Sequence, residues 1–417
     1  MAKFKKDLQF YKFCAYGFLK NLRFFDAFII LAFRKIGFSY LQIGFLFSVR
    51  EISTNILEIP TGILADAYGR RKAMVFSFSS YIISLLIFYF SREYYLFLIG
   101  MIFFASGEAF RSGTHKAMIL QYLKIKNMED VKVHYYGNTR GCSQFGSAIS
   151  SIIAGVIIFF TNNYSIIFLG TIFPYILELG LMLSYPAFLD GDIKKVEEKN
   201  IIKKIRIKIK YTLKDFINLF KSKSFLKVVL NSSLFDGYFK SIKDYIQPII
   251  KTMVIASPLF LSLSEEKRVA VLVSLTYFIL YLLTSFSSRN SGKLVDKVKN
   301  LGKSLNLTFI SGIILIFIIG LTYDFKLYYL TIIFFIIYYM LQSMRRPMTV
   351  SFVSDLIESK IMATGLSVES QIKTLSIAVL SPIVGLLLDN FSIGLSFMIF
   401  SILALLSYFL LKIKSVN

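Results

Sequence analysis

The sequence predicts an all-α polytopic membrane protein of about twelve transmembrane helices, arranged as two six-helix bundles. Three observations support this fold class. The chain of 417 residues is 55% hydrophobic, its apolar runs approach the roughly 20 residues that a bilayer-spanning helix needs, and Lys and Arg collect in alternate connections between those runs. A soluble protein of this length would be less apolar. We therefore expect the chain to lie in a membrane.

The apolar runs predict the elements in order. The first six spans are expected near residues 10–35, 40–65, 72–90, 94–122, 135–160 and 164–186, and the last six near 225–254, 267–288, 303–321, 326–352, 361–388 and 392–412. Several runs exceed the minimum length, which implies tilted helices or ends that project into water. This division gives an N-terminal bundle over 1–186, a central segment over 187–224 and a C-terminal bundle over 225–417.

The distribution of cations predicts the orientation of the chain. The formal net charge is +23, but the cations follow the connections between spans, which argues against nucleic-acid binding. They cluster at the N-terminus, in the 70–72 connection and in the central segment, whereas the connections at 37–40, 161–165 and 388–392 are nearly neutral. Under the positive-inside rule both termini and the basic connections are cytoplasmic. We expect a monomeric, multi-pass protein of the cell (plasma) membrane.

The central segment, residues 187–224, is basic and alternates Ile with Lys in the stretch KKIRIKIK. This pattern fits an amphipathic helix that lies on the anionic lipids of the inner leaflet. It fits a solvated linker between the two bundles equally well. In either case the segment separates the two halves of the chain.

The composition also argues against several kinds of chemistry. Cys14 and Cys142 both fall in predicted spans, where a free cysteine behaves as a small buried hydrophobe. Cysteine and histidine are too few for a metal centre built from soft ligands, and no phosphate-binding loop follows a strand. No nucleophile is accompanied by a base and an orienting group. We expect no enzymatic activity, no cofactor and no metal.

The stretch GILADAYGRRKAM, residues 62–74, interrupts this apolar chain with a dense polar turn. Gly62 is expected to let neighbouring helices approach closely. Asp66 is placed to accept N–H groups from a helix start, and Gly69 permits a tight reversal. The cations Arg70 and Lys72 hold the turn at the level of the lipid headgroups.

This stretch, with the preceding Glu-Ile-Pro-Thr, resembles the signature loop between the second and third helices of the major facilitator superfamily. Ala67 departs from that pattern, which usually has a cation there. A weaker Gly-x-x-x-Asp match follows the eighth span at Gly292 and Asp296. The resemblance implies a loop that latches the two bundles in the outward-facing state. The residues that fit the pattern are Gly62, Asp66, Gly69, Arg70 and Lys72.

Ionisable residues inside the spans cost roughly 2.5–3.5 kcal/mol each at the bilayer centre, so they should face a polar interior. By helical spacing, Arg23 and Asp26 share one face of the first span. The resemblance implies that spans one, four, seven and ten line a central cavity, that two, five, eight and eleven lie at the bundle interface and that the others face lipid. The candidate cavity residues are Arg23, Asp26, Glu51, Glu108, Arg111, Asp236 and Lys240.

These observations favour a secondary active transporter that moves a small polar or charged organic solute by alternating access. The coupling ion would be a proton on Asp26, Glu51, Glu108 or Asp236, with sodium coupling and uniport as the alternatives. Three other interpretations stay open: Arg23–Asp26 and Asp236–Lys240 are internal ion pairs that bind no ligand; the cavity translocates an amphiphile or lysolipid; or the protein is a membrane sensor or scaffold that acts through residues 187–224.

Overall fold

The computed structural model describes residues 6–191, 223–290, 300–355 and 362–413, together with 207, 292, 295 and 298. Within these residues the secondary structure is helical. The first half contains α1 Leu8–Leu19, α2 Ile29–Ile36, α3 Tyr40–Tyr68, α4 Arg70–Phe90, α5 Tyr94–Arg111, α6 Thr114–Ile125, α7 Lys132–Thr161 and α8 Ile166–Leu183. The second half contains α9 Lys223–Ile242, α10 Ile246–Ala256, α11 Glu265–Arg289, α12 Leu301–Asp324, α13 Tyr328–Asp355, α14 Met362–Asn390 and α15 Ile393–Leu411.

Three of the predicted spans are interrupted, which the sequence did not indicate. The first span stops at the end of α1 and resumes at α2, with turns over residues 20–28. In these turns Leu22 N–H donates to the Leu19 carbonyl at 2.9 Å and Asp26 N–H to the Arg23 carbonyl at 3.0 Å. Bonds of this i to i+3 type replace the α-helical pattern. The expectation that Arg23 and Asp26 share one helical face is therefore wrong.

The two other interruptions are shorter. Gly113 separates α5 from α6 with a φ of +74°, a backbone conformation that favours glycine. A short 3₁₀ turn over Lys243–Tyr245 separates α9 from α10. The fourth and seventh spans are thus discontinuous, like the first.

When each interrupted pair is taken as one span, the helices of the described residues form twelve consecutive spans. Eight helices in this part of the chain are long and apolar enough to cross a membrane by length and composition. The four that fall short are the first, second, seventh and tenth spans. Breaks shorten the first and seventh, and charges interrupt the second and tenth.

The described residues divide into two compact units. The N-terminal unit contains residues 6–28 and 52–191, and the C-terminal unit contains residues 29–51 together with those from 223 onward. The predicted central segment, 187–224, lies outside the described residues apart from 187–191, 207 and 223–224. Its two alternative conformations stay predictions.

In the N-terminal unit α4 packs against α5 and α8, and α1 packs against α7. The helices α4 and α5 approach closely at Gly107, where an added Cβ would lie 2.9 Å from the carbonyl oxygen of Ser77. The Ser77 hydroxyl donates to the Gly107 carbonyl at 2.6 Å. A larger residue at 107 would separate the two helices, so this glycine sets the position of the charged end of α5.

In the C-terminal unit α9 packs on α14, and α12 packs on α13 and α15. The first half of α3 belongs to this unit because its glycine Gly44 approaches the backbone of Ser381 on α14. The carboxylate of Asp389 then caps α3, accepting from the N–H groups of Tyr40 at 2.9 Å and Leu41 at 2.8 Å. A carboxylate at a helix N-terminus satisfies donors that lack a partner within the helix.

Candidate functional site

The break in the first span and the end of α5 bring together a group of charged residues. Arg23 Nη2 donates to Glu108 Oε1 at 2.5 Å, and Arg111 Nη2 donates to the other oxygen, Oε2, of the same carboxylate. The hydroxyl of Tyr81 accepts from Arg111 Nε at 3.1 Å and from Arg23 Nη2 at 3.5 Å. We call Arg23, Tyr81, Glu108 and Arg111 the N-terminal charge cluster.

The N-terminal charge cluster has a net positive charge because two guanidinium groups share one carboxylate. The side chains of Arg23, Glu108 and Arg111 are 19%, 20% and 21% exposed, so each is partly accessible to solvent. Each guanidinium has five N–H donors in a planar fork, more than the bonds to Glu108 and Tyr81 use. Such groups bind a carboxylate or phosphate through paired hydrogen bonds.

Asp26 lies in the same turn segment as Arg23 and interacts with it electrostatically. The Arg23 side chain nevertheless turns away from its own segment and pairs with Glu108. The guanidinium also lies over two aromatic rings, 5.5 Å from the centroid of Tyr81 and 5.4 Å from that of Phe104. The ion pair of Arg23 therefore links the first and fourth spans within the N-terminal unit.

Aromatic side chains continue from this cluster along α1. Lys20 follows the last residue of α1, and its Nζ lies 5.5 Å from the centroid of the Tyr16 ring. The Tyr16 ring stacks on His115 at 3.4 Å. His115 Nε2 lies 3.1 Å from the hydroxyl of Tyr185. His115 is buried among these rings, which is the packing role that a histidine in a helix most often has.

The N-terminal unit also contains a buried carboxyl group that sequence reasoning missed. Glu178 lies in α8, and its side chain is 0% exposed. Among the described residues neither carboxyl oxygen has a hydrogen-bond partner. The resemblance implied that the sixth span faces lipid, so its single acidic residue was not among the candidate site residues. The available signal was the glutamate itself, in an otherwise apolar helix, IIFLGTIFPYILELGLML.

The other candidate residues lie in the C-terminal unit. Gln342 Nε2 donates to Asp236 Oδ1 at 2.5 Å, and Arg50 Nη2 pairs with Glu51 Oε1 at 2.9 Å. Lys240 is exposed and has no carboxylate within 4.0 Å in the part of the chain that the structure describes. The predicted Asp236–Lys240 ion pair is not formed, because Asp236 instead accepts from Gln342 on α13. Lys240 is left with longer-range electrostatic interactions with Glu51 and Asp236.

Arg345 on α13 is a buried cation whose partners are neutral. Its side chain is 1% exposed, and it donates to Thr308 Oγ1 at 2.7 Å and Asn231 Oδ1 at 2.5 Å. Its guanidinium also donates to the Leu305 carbonyl and lies 4.4 Å from the centroid of the Phe235 ring. These bonds connect α9, α12 and α13, so Arg345 organises the packing of the C-terminal unit.

The polar turn at 62–74 joins α3 to α4. Gly69 has a φ of +100°, which explains the need for glycine between the two helices. Asp66 is 68% exposed, and its Oδ1 lies 4.0 Å from Arg70 Nη2. Lys72 is exposed. Gly62 does not make the close approach expected of it, since an added Cβ would meet no described atom within 4 Å.

A residue outside the predicted latch anchors this turn. Asp190, at the end of a 3₁₀ turn after α8, accepts from the Arg71 backbone N–H at 2.8 Å and from Arg71 Nε at 2.8 Å. Arg71 Nη1 also donates to the Tyr185 carbonyl at 2.8 Å. Asp190 therefore caps α4 and holds its start within the N-terminal unit. Its contribution could not be predicted because it lies more than a hundred residues away along the chain.

The comparisons with known proteins agree with this architecture. The family model of the Major Facilitator Superfamily matches residues 13–370. An uncharacterized MFS-type transporter from Methanocaldococcus jannaschii is 23% identical over 314 residues, covering 75% of this chain and 74% of that protein. A structure of a variant of the nucleoside transporter NupG is similar with a TM-score of 0.75 at 13% identity, covering 96% of this chain and 98% of that one.

A second solved structure, of a D-xylose-proton symporter, is similar with a TM-score of 0.69 at 14% identity. The similarity covers 97% of this chain and 96% of that one. At these identities the two structures establish the fold alone.

Proposed function

We propose, since this chain belongs to the major facilitator superfamily, that it is a secondary active transporter of a small polar or charged organic solute. It carries the solute across the cytoplasmic membrane by alternating access and is coupled to protons. The solute carries an anionic group, a carboxylate or a phosphate, which binds to the N-terminal charge cluster. The transporter fold follows from the family, whereas solute, coupling and site are our proposals.

The observation that carries this proposal is the coincidence of helix breaks with charge. Arg23 lies in the break of the first span, and Glu108 and Arg111 immediately precede the break of the fourth. Irregular backbone inside a membrane protein is tolerated only where it is buried in protein or lines a polar cavity. Transporters of several folds bind solutes at such discontinuous helices. A purely structural set of ion pairs would not require broken helices.

The charge balance of the cluster supports an anionic solute. Arg23 and Arg111 are both held by the single carboxylate of Glu108, so an incoming anion compensates the remaining positive charge. The open donors of the two guanidiniums supply the geometry for a carboxylate or phosphate. A solute cation would instead have to displace one arginine from Glu108, which costs an ion pair.

Proton coupling is compatible with this fold, because the similar D-xylose-proton symporter is by its description a proton symporter. The turn at 62–74 is proposed to act as the conformational latch that the family resemblance implies. Asp66 supports this role because it is exposed and makes only a long contact with Arg70 within the described residues, which leaves its carboxylate available to another partner.

The proposal is tested by measuring the melting temperature of the purified protein against a panel of anionic, zwitterionic, cationic and neutral metabolites and lysolipids. A ligand at about 100 times its dissociation constant adds roughly 2.7 kcal/mol of stability. We expect an anionic solute to stabilise the wild type and not an Arg23→Gln variant. An Arg92→Gln variant, changed at an exposed arginine, is the matched control and should respond like the wild type.

Stabilisation by lysolipids alone would contradict the proposal and support an amphiphile translocator. Stabilisation of the wild type and the Arg23→Gln variant by the same solute to the same extent would place the binding site away from the N-terminal charge cluster.

A further inference from the structure

Glu178 is a fully buried carboxyl group in the described part of the N-terminal unit. It is 0% exposed, and both of its oxygens are buried without a hydrogen-bond partner. The backbone N–H of Lys20 faces it, but that N–H donates to the Tyr16 carbonyl at 3.1 Å. No cation lies within the 4.0 Å of an ion pair to it among the described residues.

An ionised carboxylate is very unfavourable in such a site. Removing its charge from water has a large free-energy cost, which hydrogen bonds or an ion pair must offset. Glu178 has no ion pair within 4.0 Å among the described residues, and the Lys20 backbone N–H that faces it is already used by the Tyr16 carbonyl. A protonated carboxyl group has no net charge, so its burial has a much smaller free-energy cost. The geometry therefore favours the form of Glu178 that holds a proton.

Charged and titratable side chains surround Glu178 on α8. The charged ones are Lys20, which follows α1, and Arg111, the last residue of α5, and both interact with it electrostatically. The titratable side chains near it are Tyr16 from α1 and Tyr185 beyond α8. A more distant group comes from α4, where Tyr81 contacts the Tyr175 ring one turn away from Glu178 on α8.

We propose that Glu178 is the proton-binding site of this protein and that Lys20 is the cation that receives its charge when the proton leaves. Lys20 follows the last residue of α1 and begins the turn segment at 20–28. A small change in those turns brings its ammonium group to the carboxylate. Loss of the proton thus favours a different arrangement of the broken first span.

This site is linked to the N-terminal charge cluster through Arg111, which interacts with Glu178 and binds Glu108. An anion bound to Arg111 compensates part of its positive charge, so a proton on Glu178 becomes more favourable. By linkage the proton strengthens anion binding by the same factor. The two ligands therefore travel together, as in a symporter. This coupling, unlike the proton site itself, rests on the proposed function.

The test is an infrared measurement on the purified wild type and a Glu178→Gln variant, with protons as the only ligand. At neutral pH we expect the wild type to show the carbonyl stretching band of a buried protonated carboxyl group, and the variant to lack it. A Glu93→Gln variant, changed at an exposed glutamate, should keep the band. If Glu178→Gln retains the full band of the wild type, Glu178 is not the proton site.

The melting temperature gives a second readout. A group that binds a proton more tightly when folded than when unfolded contributes stability that is lost as the pH rises. Only the wild type loses this stability, so the melting temperature of Glu178→Gln should rise relative to that of the wild type from pH 5 to pH 8. A difference independent of pH would overturn the proposal. If Glu178→Gln does not fold, Glu178→Leu, which is uncharged and of similar size, is measured in its place.

These measurements test the proton site independently of the proposed transport function. A band at Glu178 in a protein that moves no anionic solute would support the site and contradict the transport proposal. Proton-driven uptake that the Glu178→Gln variant retains at the wild-type level would support transport and overturn the site.

Discussion

The N-terminal charge cluster and the charged residues of the C-terminal unit use charge in different ways. In the first, Glu108 is held by both Arg23 and Arg111 at hydrogen-bonding distance. In the second, Lys240 is exposed and has no carboxylate within 4.0 Å among the described residues, while Asp236 bonds to the neutral Gln342. Closed pairs contribute to folding, and in our proposal their spare donors bind an anion. An unpaired cation contributes little to folding and is available to a ligand.

The largest effect is expected for Glu108→Ala. Removing one partner of a buried ion pair costs about 3–5 kcal/mol, and we expect about 3 kcal/mol here because the side chain is 20% exposed. The loss follows from leaving two guanidiniums without their shared carboxylate. It is measured as a fall in melting temperature.

The double variant Arg23→Ala with Glu108→Ala is the control for this change. It removes one cation together with the carboxylate, so it should be less destabilised than Glu108→Ala. Equal or greater loss in the double variant would mean that the Arg23 to Glu108 contact is not what stabilises the cluster.

The next effect concerns the turn at 62–74. Asp190→Ala removes the cap of α4 and the ion pair with Arg71, so it should cost about 1–2 kcal/mol, as the loss of a helix cap does. The matched variant Asp66→Asn changes an aspartate that is 68% exposed. It should leave the melting temperature unchanged and alter the rate of transport. A large fall in the stability of Asp66→Asn would argue for a structural role instead of a latch.

A smaller effect on stability is expected for Lys240→Met. The cation has no close ion pair, so the change in unfolding free energy should stay within about 0.5 kcal/mol. The rate of solute uptake into proteoliposomes should fall at least tenfold, because we propose that this charge takes part in transport through its interactions with Glu51 and Asp236 of the same unit. Uptake at the wild-type rate would remove Lys240 from the candidate site.

The smallest effect is expected for the exposed ion pair between Lys35 and Glu266, whose N to O distance is 3.5 Å. Exposed pairs contribute about 0–1 kcal/mol and are screened by salt. Lys35→Ala should therefore change the melting temperature little, and any change should vanish in high salt. A salt-resistant loss would show that the pair is not a surface contact.

The sequence predicted the fold because its signals are local. Apolar runs of sufficient length, alternating cations and the turn from Gly62 to Lys72 together indicated twelve spans and the family, and both are confirmed. The polarity of Arg23, Glu108 and Arg111 was also visible, because ionisable residues in apolar runs stand out. Their role in binding stays a prediction.

The helix breaks and the pairing of charges could not be predicted. The break at 20–28 depends on turn bonds such as that from Leu22 to Leu19, which no glycine or proline in that stretch indicates. The pairing of Arg23 with Glu108 depends on how two distant spans pack. Glu178 was missed for a different reason: the family resemblance implied that its span faces lipid, although a glutamate in an otherwise apolar helix was a usable signal.

The most direct test of the account is proton-driven uptake into proteoliposomes of the anionic solute that most stabilises the wild type. With an inward proton gradient, we predict that wild-type vesicles accumulate the solute. Vesicles with Arg111→Gln lack the second guanidinium of the N-terminal charge cluster and should not accumulate it. Equal uptake by the two proteins, or no accumulation by the wild type above protein-free vesicles, would contradict the claim that this cluster binds the solute of a proton-coupled transporter.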